Sequence, residues 1–159
     1  LDITEHVQKH TLTEILITPS HGERDTAAFR RSVKRLKDDR NYKCFVSGRT
    51  DNIQVHHIAE FSLENIVDFD KLKAFLLLFD PLGYSAKMKD EPLTSIDDPR
   101  NLLPLNEEYH DNINDKVGNG IGVHNITFPA WVAQVVCKAG ENPVPQENES
   151  IEETKERIG

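Results

Sequence analysis

The sequence predicts an α+β fold, and three observations carry that expectation. Residues 42–46 and 53–58 are short apolar segments separated by the turn-forming stretch Ser47-Gly48-Arg49-Thr50-Asp51-Asn52, the pattern of a β-hairpin. A third extended segment, Asn101-Leu102-Leu103-Pro104-Leu105, follows much later. Segments with helical apolar spacing lie before, between and after these strands. The 159 residues suit one domain, or one domain with an extension. A chain of that size buries roughly two-thirds of its unfolded surface, so it needs neither disulfides nor a structural metal for stability.

The elements follow in order. Residues 2–17 place Ile3, Val7, Leu12, Ile15 and Leu16 at a loose helical period, with Asp2 as the candidate N-cap. Pro19 to Gly22 is a break, and Asp25 or Thr26 can cap the next helix, whose apolar face is Ala28, Phe29, Val33 and Leu36. Beyond the hairpin, residues 61–79 read as helix, with Phe69, Leu72, Phe75, Leu76 and Phe79 at helical spacing. Pro81-Leu82-Gly83 stops it. Residues 84–100 read as loop. Asn106 can cap a helix running to about Val117, and Gly118, Gly120 and Gly122 make a connector. A last amphipathic helix starts at Thr127 and Pro129 and runs through Val136. From residue 141 six glutamates face only Lys155 and Arg157, the composition of a flexible tail or a helix that forms on a partner.

Charge is unevenly placed. The net charge of −8 opposes polyanion binding, yet residues 30–43 hold seven of the nineteen basic residues and amount to +5, leaving −13 elsewhere. A nucleic acid would therefore be confined to that face, with Arg30, Arg31, Lys34 and Arg35 contacting backbone. Cys44 and Cys137 form no CxxC pair, which suits a reducing, cytoplasmic setting and leaves one disulfide open. No segment is apolar enough to span a membrane. With Leu at position 1 and Met88 as the single methionine, the chain is expected to be a processed or excised piece.

One constellation carries chemistry. The adjacent His56 and His57 end the second strand, Asn101 opens the third, and His110 follows nine residues later. Asn114 lies one turn on, so both side chains share a helix face. Imidazole nitrogens and an amide oxygen can converge on one divalent cation, leaving a histidine of the adjacent pair to act on water. His6 and His10 share i,i+4 spacing on the first helix, where solvent exposure is the simpler reading. His21 and His124 have no partner at ligand spacing.

Tyr42-Lys43-Cys44-Phe45-Val46-Ser47-Gly48, Val55-His56-His57-Ile58, Asn101-Leu102-Leu103-Pro104-Leu105 and His110 together resemble the HNH endonucleases over residues 42–117. The resemblance implies a ββα-metal (His-Me finger) centre with flanking helices, and metal-dependent hydrolysis of DNA by a one-metal mechanism, RNA remaining open. It makes His56 the first metal ligand, His57 the general base, Asn101 the residue that pins the adjoining loop through backbone hydrogen bonds, and His110 the helix ligand. Asn114 stands where some members place a third ligand. The implied cofactor is one divalent cation, magnesium by default, with manganese, cobalt, nickel or zinc admissible on imidazole ligands.

Two departures stand out. Forty-three residues separate His57 from Asn101, so about 61–98 reads as a helical insertion. Ser47 stands where many members have the second cysteine of a zinc pair. The domain reading is N-terminal helices with a basic face at 1–41, a nuclease core at 42–117, a connector and helix at 118–140, and a flexible acidic tail at 141–159. A further protein partner could engage that tail or a missing N-terminal region. The second functional reading, suggested by the acidity, is an inactive HNH scaffold that binds DNA or protein.

Overall fold

A computed structural model describes residues 4–6, 13, 15–20, 22–110, 122–123 and 130–159. The described chain mixes helices with one two-stranded antiparallel sheet.

Helix α1 (Ala27–Asp38) starts at Thr26, whose hydroxyl accepts the Phe29 amide at 2.9 Å, so of the two candidate caps the threonine serves. It buries Leu36 against Tyr84, Met88 and Leu102, with Phe29 and Tyr42 at the edge. No described residue of the stretch expected to form the first helix is helical (4–6, 13 and 15–17). Instead the Ile17 amide donates to the Pro143 carbonyl, so a long-range pairing overrides a weak local period.

The expected hairpin does not form. Residues 42–46 form no strand: a turn at 45–47 is closed by the Gly48 amide on the Cys44 carbonyl, with Gly48 at φ 72°, a region open to glycine without strain. Strand β1 (Ile53–His57) pairs antiparallel with β2 (Leu102–Asn106), aligning His56 with Leu103 and His57 with Leu102. Pro104 sits in β2 with no amide to offer, tolerable in a sheet of two edge strands, and its carbonyl takes the Phe45 amide.

Residues 61–79 also divide. A 3-10 turn at Phe61–Leu63 and an isolated bridge between Val67 and Cys137 precede α2 (Phe69–Leu78), because the Asp68 carboxylate caps the amides of Asp70 and Lys71. The supposed loop 84–100 contains a one-turn helix α3 (Tyr84–Lys87), whose Ser85 and Ala86 amides donate to Asp80, and a 3-10 turn at Pro99–Asn101. Arg100 staples this region: nearly wholly buried, it grips the Asp98 carboxylate with two nitrogens and donates to the carbonyls of Met88, Glu91 and Pro92.

Helix α4 is described over Glu107–His110, capped by Asn106 as its sequence suggests, and packs on both strands. Its expected continuation to Val117 lies outside the described residues. Helix α5 (Ala130–Val136) packs on α2, and its Val132 and Val136 join Leu63, Ile66, Leu72 and Leu76 in the main core. Both cysteines are free and buried, and burial pushes the Cys137 thiol up to about 11.

The acidic stretch carries a helix, where composition suggested a tail without structure of its own. Helix α6 (Ile151–Ile158) begins with a reciprocal capping box between Ser150 and Glu153, and Thr154 and Ile158 are buried. Arg157 holds Glu149 through two nitrogens at 2.7 and 2.8 Å and donates to the carbonyls of Asn142 and Val144. No described helix is long and apolar enough to cross a membrane.

Candidate active site

His56 and His57 occupy the last two positions of β1, where successive side chains point to opposite faces. The strand stays regular, and the two histidines have separate neighbours. His56 meets His110, their ring centroids 5.4 Å apart and nearly edge to face. His57 meets Phe29 of α1 at 5.7 Å, Phe61 at 6.0 Å and the carboxylate of Asp97. The structure thus joins His56 to His110 and sets His57 apart from both. Asn114, His10, His21 and His124 lie outside the described residues, and His6 is exposed.

The buried imidazoles of His56 and His110, with ring centroids 5.4 Å apart, could offer nitrogen donors to one divalent ion. Among the described residues no group of three or more His, Cys, Asp or Glu side chains could hold a metal, so the pair would supply two donors at most. The Nδ1 of His110 faces the side-chain carbonyl oxygen of Gln54, two residues before His56 on the same strand face. A mostly apolar cavity of about 450 Å³ opens beside His56, walled by Phe79, Pro81, Leu103 and Val123.

Around His57 the chemistry differs. Its Nε2 lies 2.8 Å from Asp97 Oδ1, and both side chains are almost completely buried. The Thr26 hydroxyl donates to the other Asp97 oxygen at 2.5 Å, so one threonine caps α1 and braces the carboxylate. Burial pushes the Asp97 carboxyl upward, but the hydrogen bonds from His57 and Thr26 outweigh it and hold the group below its ordinary value. A carboxylate only accepts, so Nε2 carries a proton, and in the neutral form of the ring the lone pair is then on Nδ1.

Asn101 is fully buried and binds the segments on either side. Its Oδ1 accepts the Ala59 amide at 2.7 Å, while its Nδ2 donates to the carbonyls of Ala59 and Ile96 at 2.9 and 2.8 Å. Those residues adjoin the two ends of the His57–Asp97 contact. Asp97 itself was beyond sequence reasoning, because no spacing rule links position 57 to a carboxylate forty residues away in a loop.

The basic residues of α1 are mostly paired internally. Arg30 meets Asp25, Lys34 meets Asp38 and Arg35 meets Asp39, all on exposed surface. Arg31 has no ion-pair partner among the described residues. With Ser32, Arg35, Thr94, Ser95 and Asp97 it lines a second cavity of about 260 Å³.

A family model described as HNH endonuclease matches residues 44–115, a span that contains His56, His57, Asp97, Asn101, His110 and Asn114. No curated protein and no solved structure matches the chain.

Proposed function

Residues 44–115 belong to the HNH endonuclease superfamily, and from that premise we propose that the chain hydrolyses phosphodiester bonds in DNA with one divalent cation. The observation that carries the proposal is the division of labour between adjacent histidines: one faces a second imidazole, the other a buried carboxylate.

His56 and His110 would hold the cation, with Asn114 as the candidate for a third donor. A cation bound there would offset the charge that builds on the phosphoryl oxygens and the departing 3′ oxygen, and magnesium is the default ion. His57 would take the proton of the attacking water at Nδ1. Asp97 keeps Nε2 protonated, orients the ring and stabilises the imidazolium as it forms, the same logic by which a carboxylate supports a histidine base elsewhere. Asn101 acts through structure: it ties the residues next to His57 and Asp97 into one unit. Arg31, with Arg30, Lys34 and Arg35, would lie along the nucleic-acid backbone without reading sequence.

A second reading, an HNH scaffold that binds without cutting, is favoured by a specific feature. His57 is only 5% exposed and faces away from His56 and His110. A plasmid-nicking assay separates the readings. Relaxation of supercoiled DNA in magnesium and its loss in EDTA is the expected result. Metal binding without cleavage of DNA or RNA would establish the scaffold instead.

A further inference from the structure

We propose that Gln54 is a positioning residue that fixes the tautomer of His110, and so decides which of its nitrogens can ligate a metal. The inference rests on the metal-site reading above and extends it to a residue outside the expected constellation.

Gln54 and His56 are two apart on β1, so both project from the face on which α4 packs and presents His110. The Gln54 side-chain oxygen lies 2.5 Å from His110 Nδ1. An amide oxygen can only accept, so Nδ1 must be the protonated nitrogen and the lone pair resides on Nε2. A free neutral imidazole in water exchanges between its tautomers. A buried one held on a fixed acceptor does not, and here the acceptor stands on the strand that also carries the partner ligand. Ligating histidines commonly donate their second ring N–H in this way, and loss of the acceptor typically lowers metal affinity 10- to 100-fold.

The test begins on metal-free protein. Two-bond ¹H–¹⁵N correlation spectra at a pH where His110 is neutral should show a pyrrole-type shift for Nδ1 and a pyridine-type shift for Nε2. Gln54→Leu should move both toward the averaged values of a mixed population, while Gln54→Glu, which keeps an acceptor in place, should restore the wild-type pattern. Calorimetric titration with Mn²⁺ should then find affinity reduced 10- to 100-fold in Gln54→Leu and largely recovered in Gln54→Glu, with circular dichroism unchanged in both. An Nε2–H tautomer in the wild type, or a folded Gln54→Leu protein with unaltered tautomer or Mn²⁺ affinity, would overturn the proposal. A wild type that takes up no Mn²⁺ would overturn the metal-site reading on which it rests, while the metal-free spectra test the tautomer independently of that failure.

Discussion

Replacing Asn101 by alanine should destabilise the protein by roughly 3–5 kcal/mol. The side chain makes three hydrogen bonds at 2.7, 2.9 and 2.8 Å from a position of zero exposure. Truncation strands one amide and two carbonyls, each costing about 1–3 kcal/mol when left unsatisfied away from water. Partial relaxation keeps the total toward the lower end of that sum, while the vacated volume adds to it. Against a total stability of about 5–15 kcal/mol the loss is severe. Thermal unfolding should show it as a Tm lower by about 6–20 °C. Asn101→Asp is the informative companion: it keeps the acceptor for Ala59 N but sets a carboxylate oxygen against the carbonyls of Ala59 and Ile96, so it should rescue little at neutral pH. Urea denaturation of both variants measures the effect. A loss below about 1 kcal/mol for Asn101→Ala would mean that the segments carrying His57 and Asp97 are held by something else, and would remove Asn101 as their tie.

Other outcomes follow from the charge distribution. Changing Arg31, Lys34 and Arg35 to glutamate should weaken DNA binding at low salt and flatten the slope of log affinity against log salt, with Arg31 alone giving much of the effect because its three neighbours already have partners. An unchanged slope would place the DNA on another surface. The Arg157 guanidinium, with help from the Gln146 amide, lowers Glu149 to about 2 from an ordinary 4.5. A depressed carboxyl contributes stability above its unfolded-state pKa and loses it as pH falls through the folded one. Amide protection factors across α6 should therefore fall between about pH 4.5 and 2, and Glu149→Gln should shrink that step, leaving the part due to Glu153 of the capping box; a step undiminished in the variant would assign it to other groups.

Features set by neighbouring residues were legible in the sequence. Thr26 and Asn106 cap their helices because a short polar side chain before a helical period has little else to do. The extended character of 53–57 and 102–106 likewise follows from local pattern. Which strand pairs with which did not, since proximity favoured a hairpin while the chain closes β1 on β2 across the inserted segment. The acidic tail misled through composition: counting glutamates overlooked the box between Ser150 and Glu153 and the single arginine that binds Glu149 and two carbonyls. At the site, the resemblance to the HNH endonucleases implied His56 and His110 as the ligand pair, while spacing alone left open which of the adjacent histidines would serve. The partner of His57 came from a loop whose course is set by the buried contacts of Arg100 and Asn101, and no local rule predicts those.

The central claim is that adjacent histidines divide the work, and the cleavage rate of His57→Ala at saturating metal tests it most directly. The account predicts Mn²⁺ affinity and DNA binding near wild type, with plasmid cleavage reduced by about a hundredfold or more, the usual worth of a positioned base. His56→Ala and His110→Ala should instead lose metal affinity and cleavage together. Full cleavage by the His57→Ala protein would contradict the account and remove His57 as the base.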